Sequence, residues 1–168
     1  MADVQDEVRW VLETIADQWP DGDFADETVV RQDFESSEVL ETGRREGVEL
    51  SQTAAISADE GDRARTPIGT EFHYDVETVV AVRVEGVHEE AGGTIASKGE
   101  FRRLVRYAQA AIDAERTYPS VDADDEVGFV HYEDARIENE QNVSSDYADD
   151  FRVDFDVRLT GKQDPDRR

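Results

Sequence analysis

The sequence predicts an α+β fold: a mainly antiparallel sheet, two helices packed on one of its faces, and a long loop or hairpin arm. Three observations carry this expectation. Residues 71–86 and 151–160 alternate apolar and polar side chains with period two, as strands with one buried face do. Residues 4–19 and 97–112 repeat apolar side chains every three or four positions, as amphipathic helices do. The order is helix, strands, helix, strands, which places helices against a sheet of hairpin-joined strands. One domain over 1–161 is expected, with a long loop at 57–70 and a polar C-terminal tail at 162–168.

The first helix follows from Val4, Val8, Leu12, Ile15 and Trp19, which form one stripe. Asp3, Asp6 and Glu7 sit at its start, where the helix dipole favours acids. Pro20 and Asp21-Gly22-Asp23 end it. Trp10 lies off the main stripe and is a candidate for contact with something else.

Thr28–Phe34 and Gly47–Ile56 read as strands, with Glu41–Glu46 as a charged turn between them. Ser57–Thr70 is long and polar and contains Gly61, Pro67 and Gly69, so it reads as a loop. In the next strand Phe72, Tyr74, Val76, Thr78, Val80, Val82 and Val84 face inward, while His73, Asp75, Glu77, Val79, Ala81, Arg83 and Glu85 face outward.

Glu89–Ala96 reads as a loop. Ser97-Lys98-Gly99-Glu100 is a capping box that opens the second helix. Its core positions are Phe101, Leu104, Val105, Ala108, Ala111 and Ile112, and Tyr118-Pro119 closes it. Short strands at Val127–Tyr132 and Ala135–Glu138 follow an acidic turn. In the last strand Phe151, Val153, Phe155, Val157 and Leu159 face in, and Gly161 begins the tail.

Charge bounds the function. Forty-two acidic residues face eighteen basic ones, of which only Lys98 and Lys162 are lysine, for a net charge of −24. Self-repulsion of that size strains a compact fold in dilute buffer. It eases in molar salt, where the Debye length is about 3 Å. Acid excess, arginine in place of lysine and no cysteine mark a chain adapted to high salt. Such a surface repels nucleic-acid backbones. An acidic N-terminus without a basic-then-apolar pattern leads us to expect synthesis and first action in a cytoplasm. No stretch reaches the roughly 18 apolar residues of a membrane span.

Signals for chemistry are weak. Gly92-Gly93 and Gly43 lack the companions of a phosphate-binding loop. His73, His88 and His131 are scattered, and Asp122, Asp124 and Asp125 are out of register with a calcium loop. Asp75 or Glu77 could serve as catalytic carboxylates only with a partner that sequence does not show. Tyr107, Tyr118 and Tyr132 read as packing residues. No catalytic residue, cofactor or metal is therefore expected. The stretch with functional character is 57–70, where Arg63 and Arg65 precede Pro67; arginines on an extended arm pair well with carboxylates of a neighbouring copy. Arg63, Arg65, Pro67 and Trp10 are the expected subunit-interface residues.

Two stretches carry a family resemblance. Phe72-His73-Tyr74-Asp75-Val76-Glu77-Thr78-Val79-Val80-Ala81-Val82-Arg83-Val84 is followed by a loop, a helix and short strands, and the segment from Asp146 to Gly161 closes the chain. In these stretches and in element order, the chain resembles the tail terminator, or tail-completion, proteins of long-tailed viruses. With its acidic composition, it looks like a haloarchaeal-virus version. The resemblance implies a small α+β virion subunit that forms a ring, commonly of six copies. The ring caps the tail tube and joins it to the head connector, while DNA passes through the lumen without specific binding. It implies location in the neck region of the virion, and neither a reaction nor a cofactor. Competing readings are another neck or head-completion protein, a small halophilic α+β enzyme, and an acidic DNA-mimic inhibitor.

Overall fold

The computed structural model describes residues 6–17, 29–35, 44–51, 54–68, 73–87, 97–121, 123–125, 128–142 and 150–165. Two helices, α1 (Asp6–Asp17) and α2 (Lys98–Ala114), accompany seven strands. These are β1 (Val29–Glu35), β2 (Arg44–Ser51), β3 (Ala54–Ile68), β4 (His73–Val87), β5 (Ala123–Asp125), β6 (Gly128–Asn142) and β7 (Asp150–Pro165). They form one sheet in the order β1-β2-β3-β4-β7-β6-β5. Every neighbouring pair is antiparallel. The fold is α+β, as the patterning predicts.

Alternation builds the core. Val76, Thr78, Val80, Val82 and Val84 of β4 are buried, as are Phe151, Val153, Phe155, Val157 and Leu159 of β7. Each large apolar side chain removed from water contributes roughly 1.5–3 kcal/mol. Both helices cover this face. The six apolar positions expected for α2 are all buried, and Phe101 stacks on Phe151 with ring centroids 5.2 Å apart. Ser97 caps α2, its hydroxyl accepting the Glu100 N–H at 3.1 Å. Helix α1 packs against β1 to β4 and α2. It is buried on more than its apolar stripe, since Glu7, Trp10, Val11 and Thr14 are also enclosed. Val4, Trp19 and Pro20 lie outside the described residues.

Several expectations need correction. Gly47–Ile56 is not one strand: β2 ends at Ser51 and β3 starts at Ala54. Ser57–Thr70 is not a loop, because β3 runs to Ile68 and pairs with β4 up to Ile68–His73. Its strand signal is hidden by a bulge between Glu60 and Arg63. One extra residue there reverses the alternation, so Ala58 and Arg63 lie on the same face despite unlike parity. Pro67 is tolerated because, among the described residues, β2 reaches only to Ala58 and leaves the distal half of β3 as an edge.

The two short strands expected at 127–132 and 135–138 are one bulged strand, β6. The tail expected from 162 is also wrong in part, since β7 continues to Pro165 and Gln163 is fully buried. Gly161 permits this close approach, because a Cβ there would overlap the His131 carbonyl. Nor is the outward face of β4 uniformly exposed. Arg83 and Glu85 are buried, with Ser57 beside Arg83 in the β3 register.

Candidate subunit interface

Past the bulge, Arg63, Arg65 and Pro67 lie opposite Thr78, Val76 and Tyr74 of β4, on the helix-bearing face. Residues 63 to 67 are all exposed, although Val76 and Thr78 beside them are buried. An exposed strand whose backbone edge has no neighbour among the described residues is a template for pairing with another chain. The Arg65 guanidinium lies over the Tyr74 ring, 4.2 Å from its centroid, which holds the side chain in place. Three of the four expected interface residues thus come together on one edge. Trp10 does not join them at the surface, because it is buried in the core of the single chain.

Beneath this edge runs a buried polar chain that periodicity alone does not reveal. The Tyr132 hydroxyl donates to Glu7 Oε1 at 2.9 Å and lies 2.8 Å from Thr78 Oγ1. All three residues are buried, and they tie α1 to β6 and β4. Burial pushes the Tyr132 phenol well above its ordinary value. The Thr78 hydrogen bond opposes this, the Glu7 carboxylate adds to it, and the Arg63 charge opposes it again. A phenol held neutral in this way keeps its proton for the hydrogen bond to Glu7 and so ties α1 to β6.

The outward face carries several ion pairs among its carboxylates. Arg158 binds both Glu77 and Glu138, joining β4, β7 and β6. Asp154 takes Arg152 at 2.8 Å and Arg83 at 3.3 Å. Glu77 is therefore tied to an arginine, while Asp75 is exposed.

His131 is exposed; His88 and Asp122 lie outside the described residues. Among the described residues no cluster of three His, Cys, Asp or Glu could hold a metal ion. A shallow cleft of about 310 Å³ lies between α2 and β6, lined by Gln109, Asp113, Arg116, Asp134, Ala135, Arg136 and Ile137. Beside it, Tyr118 corrects the expectation of a packing role, being 73% exposed. No described helix is long and apolar enough to cross a membrane. No protein-family model matches the chain, and no curated protein does.

Proposed function

We propose that the chain is a structural virion subunit of the tail-terminator kind, one that forms a ring, caps the tail tube and joins it to the head connector. The observation that carries this reading is the exposed arginine edge of β3 on a chain of net charge −24. A ring joint is heterologous, so one patch must meet a different patch on the next copy. Cationic side chains on an open strand edge supply one half of such a joint, and carboxylates of the neighbour supply the other. The element order supports the same reading, with a long central strand, then a helix, then a bulged strand and a long closing strand. The acid excess fits a lumen through which DNA slides without being gripped.

The test is negative-stain imaging in roughly molar salt, where the Debye length is about 3 Å. Wild-type protein should form closed rings with a central hole, and the R63E/R65E variant should yield single subunits while keeping its circular dichroism spectrum. Rings unaffected by that reversal would remove the β3 edge from the joint. Single subunits for wild type, both alone and with purified tail tubes, would contradict the reading itself.

A further inference from the structure

Helix α2 breaks the local rules of charge placement. Lys98, Arg102 and Arg106 follow one another at i, i+4 and i+8, with Arg103 alongside, and all four are exposed. Like charges four residues apart destabilise a helix. Cations near its N-terminus oppose the dipole. Among the described residues, Lys98, Arg102 and Arg106 form no ion pair, on a chain that carries 42 acids. The stripe spans about 12 Å at 1.5 Å per residue. A cost accepted locally by Lys98, Arg102 and Arg106, with no compensating ion pair among the described residues, points to a partner.

At the other end of α2, a second exception has matching chemistry. Tyr118 is the one exposed large hydrophobic side chain among the described residues, at 73%. Its backbone is left-handed, with φ of 49°. Bulky residues rarely adopt that conformation, and it costs on the order of 1–2 kcal/mol. The Tyr118 N–H donates to the Glu133 carbonyl at 3.0 Å, and Thr117 bridges to Asp134, so the backbone that carries the ring is tied to β6. The carboxylates of Asp113 and Glu133 are both exposed and, among the described residues, in no ion pair. Glu133 is the backbone partner of Tyr118, and Asp113 lies in the last turn of α2 five residues before it, in a cleft that also holds Arg116 and Arg136. An aromatic ring and carboxylates on one surface can together receive an arginine. The chain already makes the aromatic half of that contact internally, with Arg65 over Tyr74.

We propose that the Lys98–Arg102–Arg106 stripe of α2 docks on Tyr118 and the exposed carboxylates Asp113 and Glu133 of a second copy of this chain. The two patches differ and lie toward opposite ends of α2; in a ring, the stripe of each copy meets the Tyr118 patch of the next, a heterologous contact. A second copy fits better than a nucleic acid, because the net charge opposes a polyanion, whereas Tyr118 and its carboxylates complement the stripe. The inference rests on the ring reading and adds the residues that join its subunits.

The test is a charge swap read by light scattering and concentration-dependent assembly. The R102E/R106E and D113R/E133R chains should each need at least about tenfold more protein to assemble than wild type. Mixed in equal amounts they should assemble as wild type does, because every joint then pairs opposite charges. Y118G should weaken assembly while raising Tm, since glycine relieves the left-handed backbone; a purely structural tyrosine would not separate the two readouts. Wild-type assembly by R102E/R106E alone would overturn the inference and leave the ring reading standing. So would swapped chains that fail to rescue each other. A wild-type chain that never assembles would overturn both. If wild type binds a labelled 30-base-pair DNA duplex and R102E/R106E does not, the stripe is a phosphate site and the second-copy proposal fails.

Discussion

At the scale of single residues, the polar chain from Glu7 through Tyr132 to Thr78 is the feature with the sharpest consequences. Removing the Tyr132 hydroxyl leaves a buried carboxylate without its donor, so Y132F should destabilise the fold by about 1–3 kcal/mol in chemical denaturation. The raised phenol adds a pH signature. An unfolded tyrosine titrates near 10. Because the folded phenol holds its proton above that, its contribution is fully present below about pH 10 and is lost as the pH rises toward the folded value. Wild-type Tm should therefore fall on the alkaline side more steeply than that of Y132F. An equal slope in both would place the effect elsewhere. None of this chain was legible in the sequence. Glu7 reads as a dipole-favoured acid and Tyr132 as a packing residue, and only tertiary structure brings positions 7, 78 and 132 together.

At the scale of elements, legibility followed the range of the physics. Helix α2 was readable because its signals are local: Ser97 caps it and its six apolar positions are all buried. The S97A variant should lose about 1 kcal/mol, measurable as a lowered denaturation midpoint with an unchanged m-value. Strands β4 and β7 were readable because each buries one face over a long run. Strand β3 was not. It is held by pairing with β4, its bulge reverses the alternation near Gly61, and Pro67 sits where, among the described residues, no strand on the far side needs its N–H. The tail expected after Gly161 failed for a similar reason, since the polar Gln163 is buried by strand pairing rather than by its own hydrophobicity. Arg63, Arg65 and Pro67 were legible as a group of interest even though their loop assignment was wrong. The α2 stripe escaped notice because its four cations vanish in a chain-wide charge tally and stand out only when set on one helix.

At the scale of the whole molecule, charge governs both stability and assembly. The net charge of −24 on 168 residues predicts that folding needs salt. The near-UV circular dichroism signal should fade as salt is lowered from molar to millimolar, where the Debye length reaches tens of ångströms. A signal retained in millimolar salt would show that the ion pairs of the outward face offset the repulsion without screening. The same repulsion opposes contact between copies, so any joint needs its cations gathered, as they are on β3 and α2. The measurement that most directly tests the central claim is solution mass by light scattering in roughly molar salt. The account predicts a discrete species of several chains, about six times the 18.9 kDa subunit for the ring its resemblance implies. A mass of one subunit that persists at every concentration and in the presence of tail tubes would contradict it.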